Sequence, residues 1–223
     1  MRLTHIDYGL ELMLEENSIN VIVIENPTAL SALAGDLWHQ IQGHEGGWIL
    51  SDGTCELNIS KSLECIFNPF AIDLNNKRVI NAIYKDLVHV SSDMLFTATS
   101  DINSKIANYI GLITSTSEIP LEYGFELNVS DLLKLYNVKA CNDSDNLVDT
   151  IIEYIKVMRR IAGITVFAFI NFKSYFNTAE LKMIYESSLY EKVNLIMIES
   201  FDNPVTESEK KIIIDNDRCI VEL

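Results

Sequence analysis

Residues 19–27 have the sequence Ile19-Asn20-Val21-Ile22-Val23-Ile24-Glu25-Asn26-Pro27. The run before Glu25 is almost continuously β-branched, which is typical of a strand covered on both faces of a parallel sheet. Asn26 can cap a helix, and Pro27 then occupies the first helical position, where a missing N–H costs nothing. This segment predicts a buried strand that passes directly into a helix, the first unit of an α/β fold.

The same alternation of strand and helix returns in the last third of the chain. A helical pattern over Leu147–Met158 comes first, and a second helix begins at the capping residue Asn177. Apolar runs predict three strands in this part: Ile164–Ile170, Val193–Ile198 and Cys219–Val221. Strand–helix–strand units imply parallel strands with right-handed crossovers. We predict an α/β head domain with a mainly parallel sheet, built from residues 1–60 and 143–223.

Residues 61–142 have a different character, because helical spacing dominates and Leu121–Tyr123 is the one candidate strand. From Leu95 onward, spacings of four and three residues alternate, as in a coiled coil. The residues of this seam are Leu95, Thr99, Ile102, Ile106, Tyr109 and Ile113. We predict an inserted α-helical domain over residues 61–142.

Composition favours a globular protein of the cytoplasm. The chain has 223 residues, of which 48% are hydrophobic, too large a share for a disordered chain. Its longest apolar stretches fall far short of the ~20 residues that span a bilayer, so we expect no membrane contact. The four cysteines lie far apart without a C-x-x-C pair, which indicates reduced thiols rather than a disulfide or zinc framework.

The charge balance restricts any contact with nucleic acid. The net charge is −15, from 17 Lys and Arg against 32 Asp and Glu, whereas a DNA-binding domain is usually basic. Contact with a polyanion therefore requires a local basic strip. The candidates for such a strip are Lys134, Lys139, Lys156, Arg159 and Arg160. The preference of helix C-termini for cations accounts for part of this run. The alternative that composition favours is an acidic, solvated surface that repels DNA.

Polar residues follow three of the predicted strands: Glu25, Asn171 and Glu199. Ligands of open α/β sheets gather at the carboxyl ends of strands, and this set can hold a magnesium ion or a nucleotide. However, no G-x-x-x-x-G-K-[ST] motif follows Ile24, and a carboxylate there repels phosphate. The favoured alternative is that these side chains cap helices and bind loop N–H groups.

A second acidic group, Glu118, Glu122 and Glu126, lies in a turn-prone stretch between predicted helices. Closely spaced carboxylates suit calcium, although the stretch is not an EF-hand loop and a solvated acidic loop is the alternative. The four histidines form no H-E-x-x-H motif, and no G-x-S-x-G elbow occurs. No motif supports catalysis, and we expect no enzyme activity.

Five segments together resemble the small Csn-two family of type II-A CRISPR–Cas systems, in order and in spacing. These segments are Ile22–Glu25, Asp131–Lys139, Phe169–Asn171, Leu195–Glu199 and Asp215–Asp217. The resemblance implies a head related to P-loop kinases without a working nucleotide site, and a helical leg. It also implies a calcium-stabilised homotetrameric ring that holds double-stranded DNA in a lysine-lined channel during spacer acquisition. Expected partners are other adaptation proteins: the integrase subunits and the type II effector nuclease.

By the same resemblance, Lys134 and Lys139 are candidate phosphate contacts, and Arg159 and Arg160 lie where the family has a basic cluster. Glu118 and Glu122 fall on the family's calcium-binding stretch, although this chain has Pro120 and Gly124 where relatives have further acids. Our leading hypothesis is a non-enzymatic protein that binds DNA ends. Two alternatives stay open: a nucleotide-dependent enzyme using the strand-end residues, and a protein-interaction scaffold that docks through the Leu95–Ile113 seam.

Overall fold

The computed structural model describes residues 1–16, 18–141, 146–203 and 209–222. Over these residues the protein is a mixed α/β structure with two sheets. Its strands are β1 (Arg2–His5), β2 (Leu10–Met13), β3 (Ile19–Ile24), β4 (Trp48–Asp52), β5 (Cys55–Leu57), β6 (Leu63–Ile66), β7 (Val166–Ile170), β8 (Asn194–Glu199), β9 (Glu209–Ile214) and β10 (Ile220–Glu222). Its α-helices are α1 (Pro27–Ile41), α2 (Ile59–Ser62), α3 (Lys77–Asp93), α4 (Phe96–Thr114), α5 (Val129–Leu135), α6 (Leu147–Arg160) and α7 (Thr178–Tyr190).

The larger sheet has the strand order β10-β9-β3-β8-β7-β6. All neighbouring pairs from β9 to β6 are parallel, and β10 adds an antiparallel edge. Every residue of β3 is buried, as a strand covered on both faces requires. Asn26 caps α1 by accepting the N–H groups of Thr28 and Ala29, and Pro27 is its first residue. The predicted strand–helix unit and the mainly parallel sheet are therefore confirmed.

The smaller sheet is antiparallel, with the order β2-β1-β4-β5. Its Leu3 and Leu50 belong to the same buried cluster as Leu33 of α1 and as Ile22 and Ile196 of the larger sheet. Helix α1 thus shares one apolar core with both sheets. The indole of Trp48 donates a hydrogen bond to the Leu33 carbonyl at 2.9 Å, which ties β4 to this helix.

The backbone packs into two compact units, Met1–Asp73 with Asn142–Leu223, and Leu74–Cys141. Both sheets lie in the first unit, and the second contains α3, α4 and α5. In the second unit the hydroxyl of Tyr84 donates to the carbonyls of Leu133 and Val138, at 3.3 and 2.9 Å. The expected domain boundaries at residues 60/61 and 142/143 stay a prediction.

Two expectations about strands between residues 60 and 140 were wrong. Leu63–Ile66 forms β6, an edge strand parallel to β7, whereas Leu121–Tyr123 has no strand conformation. A strand of four residues carries too little alternation to be recognised, and β6 becomes a strand by pairing with β7, about a hundred residues later. No helix in the described ranges is both long enough and apolar enough to cross a membrane.

Candidate functional site

The carboxyl edge of the larger sheet carries the three polar residues that follow its strands. Glu25 follows β3 and Asn171 follows β7, while Glu199 ends β8, the strand between them. Exposed Glu25 accepts a hydrogen bond from Asn216 Nδ2 at 3.3 Å. The amide oxygen of Asn171 accepts the Ser200 N–H at 2.8 Å. The fold therefore aligns these residues along one edge, where each binds groups of its own or a neighbouring loop.

Glu199 differs from Glu25 because it is buried on one face of the sheet. Only 1% of Glu199 is exposed, and its Oε1 accepts the Lys173 N–H at 3.0 Å. Its Oε2 has no hydrogen-bond partner among the described residues. Burial raises the pKa of this carboxyl to about 7, against the opposing effect of the Lys173 N–H and ammonium. An enclosed carboxyl that binds its proton up to about neutral pH is poorly suited to hold a solvent-accessible magnesium ion.

A group of buried charges surrounds Glu199, and it was not predicted from the sequence. The ammonium of Lys173 pairs with Glu209 of β9, whose Oε1 also accepts the hydroxyl of Tyr185 from α7 at 2.9 Å. Burial, followed by the charge of Glu209, raises the pKa of the Tyr185 phenol above its usual value. The sequence does contain a signal for this group. Side chains alternate between the two faces of a strand, so Glu209 and Lys211 of β9 lie on the same face.

The N-terminus of α1 follows β3, where a phosphate-binding loop would lie in a nucleotide-binding α/β protein. Here the Asn26 side chain occupies the first N–H groups of the helix, accepting those of Thr28 and Ala29 at 3.0 Å each. Its own amide donates to the Asn216 carbonyl at 2.9 Å, which holds the turn after β9 beside the cap. The helix end therefore already has an internal hydrogen-bond acceptor in place of a phosphate.

The predicted basic strip is divided between the two compact units. In the second unit, exposed Lys134 pairs with Asp131 at 2.8 Å, and exposed Lys139 has no ion pair with any described residue. The first unit contributes Lys156, 3.8 Å from Glu153, together with Arg159 and Arg160 at the end of α6.

Both arginines of α6 contact Glu191, the residue that caps the C-terminus of α7. Arg160 donates from Nε to the Glu191 carboxylate at 2.9 Å, and Arg159 donates from Nε to the Glu191 carbonyl at 3.4 Å. The hydrogen bond from Arg160 lowers the pKa of Glu191. Arg160 is thus committed to an internal ion pair, whereas Arg159 keeps its terminal nitrogens for other partners.

The acidic residues Glu118, Glu122 and Glu126 are all exposed in the loop between α4 and α5. Among the described residues, no group of three or more His, Cys, Asp and Glu side chains is arranged to hold a metal ion. The carboxylates in the described part of the chain therefore do not form a complete calcium site by themselves.

Helix α4 carries the coiled-coil seam, and none of its residues is buried. The exposed fractions of Ile102, Tyr109 and Ile113 are 45, 63 and 48%. The seam is therefore a solvent-facing apolar surface of the second unit, and not part of an internal core.

Comparison with protein families gives one match over most of this architecture. The model of the family described as CRISPR-associated protein (Cas_Csn2) matches residues 40–218. The chain belongs to this family. The match confirms the resemblance noted in the sequence, and membership of Cas_Csn2 gives the chain a CRISPR-associated role in adaptation.

The Cas_Csn2 match extends over all of the second unit and most of the first. It includes Asn171 and Glu199 together with every residue of the basic strip and of the acidic loop. Glu25 lies before the matched range, so its place in the strand-end set depends on the sheet topology alone.

Proposed function

We propose that this Cas_Csn2 chain binds the ends of double-stranded DNA during spacer acquisition, as a homotetrameric ring without enzyme activity. The observation that carries the proposal is the family match over residues 40–218. In this proposal the first unit corresponds to a P-loop-kinase-like head and the second to a helical leg. The expected protein partners are the integrase subunits and the type II effector nuclease.

Local positive charge supports DNA binding despite the acidic composition. A ring can be negative outside and positive within, so a net charge of −15 does not exclude a basic channel. Lys134 and Lys139 are exposed, and Lys134 has only an exposed carboxylate as partner. Such surface pairs contribute little stability, and a DNA phosphate can replace Asp131 at small cost.

The strand-end residues support the absence of nucleotide chemistry. Asn26 occupies the N–H groups at the start of α1, and Glu199 is enclosed against Lys173. A nucleotide-dependent enzyme would need both to rearrange before phosphate and magnesium could bind. Calorimetry with ATP and magnesium tests this alternative, and measurable binding would contradict the proposal.

Calcium enters the proposal as an ion held between copies of the chain. Glu118, Glu122 and Glu126 are exposed, and carboxylates that an interface brings together repel one another unless a divalent cation neutralises them. Light scattering with calcium and with EDTA measures the effect on the assembly. We expect EDTA to dissociate the oligomer or to lower its melting temperature, and an unchanged mass and melting temperature would exclude this role.

The DNA-binding test replaces Lys134 and Lys139 by Glu in one variant, with Lys182→Glu as control. Lys182 is exposed on α7 and pairs with Glu186, so the control adds negative charge away from the strip. Gel-shift titrations should show tight, sequence-independent binding of linear duplex, with a log–log salt slope of about −0.9 per phosphate contacted. The double variant should bind every duplex more weakly, and the control should bind as the unaltered protein does.

Closed-circular duplex separates end binding from general DNA binding. A ring that encloses DNA must thread over an end, so we expect linear duplex to bind more tightly than a closed circle of the same sequence. Equal affinity for the linear and the circular duplex would contradict threading. Equal affinity of the double variant and the unaltered protein would show that Lys134 and Lys139 do not contact DNA.

The exposed seam of α4 favours a second candidate function, a scaffold that acts through protein contacts alone. This alternative predicts that the protein does not bind DNA in the presence of calcium. Molecular mass in solution, measured with and without calcium and linear duplex, distinguishes it from the DNA-bound ring.

A further inference from the structure

A cavity of about 490 Å³ lies at the amino ends of β7 and β8, in the first compact unit. These are the opposite ends of the strands from Asn171 and Glu199, so the cavity is separate from the strand-end site. Its polar lining consists of Glu16, Asp52, Arg159, Thr165, Lys192 and Asn194. The volume is within the range of small-molecule sites, about 300–1,000 Å³.

Arg159 brings hydrogen-bond donors to this cavity that have no partner among the described residues. The side chain is half-buried, and its Nε donates to the Glu191 carbonyl at 3.4 Å. Its two terminal nitrogens donate to no residue in the described parts of the chain, whereas those of Arg160 face the Glu191 carboxylate. A guanidinium with free terminal N–H groups matches the geometry of a phosphate.

Lys192 lies at a backbone position where glycine is the usual residue. Its φ is +54°, in the left-handed region that disfavours side chains. Helix α7 ends here with hydrogen bonds from the Lys192 N–H to Leu189 and from the Val193 N–H to Ser188, the pattern that glycine commonly completes. Lysine therefore costs stability at this position, and its ammonium forms no ion pair with a described residue.

The remaining polar groups extend what the cavity can bind. The Asn194 amide has a weak partner, the Met1 sulfur at 3.9 Å, and Thr165 adds a hydroxyl. Glu16 and Asp52 supply carboxylates, which accept hydrogen bonds from hydroxyl or amino groups, and the α-ammonium of Met1 lies 3.9 Å from the Asp52 carboxylate. Cations and acceptors thus line the same cavity.

We propose that this cavity binds a phosphate monoester whose other end carries hydroxyl or amino groups. Arg159 and Lys192 bind the phosphate, and Glu16 and Asp52 accept hydrogen bonds from the hydroxyl or amino groups of the ligand. Two sources have this chemistry: a free mononucleotide, and the phosphorylated terminus of a DNA duplex. The second source rests on the proposed function, and the first does not.

Calorimetry on the full chain tests the site with thymidine 5′-monophosphate, and with thymidine as the probe that lacks phosphate. We expect the monophosphate to bind and thymidine not to bind. Lys192→Gly removes the charge while keeping a residue that suits the backbone, so it should weaken binding about tenfold without lowering the melting temperature. Lys182→Ala is the matched control, because it removes an exposed lysine from α7 outside the cavity.

Absence of heat with the monophosphate, or an unchanged affinity in Lys192→Gly, would overturn the proposal. Linear duplexes with a 5′-phosphate or a 5′-hydroxyl then distinguish the two sources. Tighter binding of the phosphorylated duplex, lost in Lys192→Gly, identifies the DNA terminus. Equal binding of both duplexes identifies the free mononucleotide. If no duplex binds, the proposed function is contradicted. The calorimetry with thymidine 5′-monophosphate still decides whether the cavity binds a phosphate monoester.

Discussion

The ammonium of Lys173 lies 2.9 Å from Oε1 and 3.0 Å from Oε2 of Glu209, with the two side chains 3% and 0% exposed. The pair joins the turn after β7 to the first residue of β9, two segments that are not neighbours in the sheet. A buried ion pair contributes little net stability relative to apolar residues, but it is costly to break from one side.

Lys173→Met should therefore destabilise the protein by about 3–5 kcal/mol, because the buried Glu209 carboxylate loses the ammonium that pairs with it. Urea denaturation measures the change. Lys182→Met removes an exposed lysine that pairs with Glu186 at 3.7 Å, and should change stability by less than about 0.5 kcal/mol. Adding Glu209→Leu to Lys173→Met should restore part of the loss, and a further additive loss would contradict the pairing.

The raised pKa of Glu199 predicts a dependence of stability on pH. Its carboxyl titrates near pH 7 in the folded protein and near its ordinary 4.5 when unfolded, so the folded state binds the proton more tightly. The resulting stabilisation is complete below pH 4.5 and is lost as the pH rises through 7.

Glu199→Gln removes this titration and should stabilise the protein by about 3 kcal/mol above pH 8, and by about 1 kcal/mol or less at pH 5. Urea denaturation across this range measures the difference between variant and unaltered protein. A difference that stays constant with pH would contradict the assignment of the titrating group to Glu199.

The Asn26 cap of α1 should contribute measurably to the stability of the protein. Asn26→Ala loses the acceptor for the Thr28 and Ala29 N–H groups and should destabilise the protein by about 1 kcal/mol. Asn26→Asp keeps the acceptor but, like Asn26→Ala, loses the donor to the Asn216 carbonyl, so the difference between the two variants measures the cap alone. Thermal melts should order the unaltered protein and the aspartate variant above the alanine variant. Equal melting of alanine and aspartate variants would show that the cap contributes nothing.

Two glycines give opposite predictions for the same substitution. A Cβ at Gly47 would lie 2.5 Å from Cε1 of buried His5, whose ring packs edge-on against Trp48. Gly47→Ala should cost about 1–3 kcal/mol, because the imidazole must shift. Gly35 lies inside α1 with open space around it, and Gly35→Ala should stabilise by up to about 1 kcal/mol. Melting temperatures that change in the same direction would contradict this packing.

Local patterns predicted the central elements of the fold. Ile19–Ile24 and Val193–Ile198 are each apolar except for one asparagine, and each is followed or preceded by a helix with its own cap, so their assignment needed only nearby residues. The polar start of β9, from Glu209 to Lys211, conceals a strand whose charges are neutralised by distant partners. Short β6 was missed because its pairing with β7 is non-local.

The candidate sites likewise divide into those that the sequence predicts and those that only the structure reveals. Basic and acidic residues, and the polar residues after strands, are visible in the sequence, and so is the resemblance to the family. The cavity with Arg159 and Lys192 was not predictable as a cavity, because the two residues come from the ends of different helices. The left-handed backbone at Lys192 is likewise a product of how α7 ends before β8.

The amino-acid sequence by itself determined the central strand–helix units and the family, because these depend on the spacing and identity of residues along the chain. Only the tertiary structure decided that Glu199 is enclosed while Glu25 is exposed, and that Lys173 meets Glu209. The physical reason is that the cost of a charge depends on burial and on its partners, and those partners lie 26 and 36 residues away in the chain.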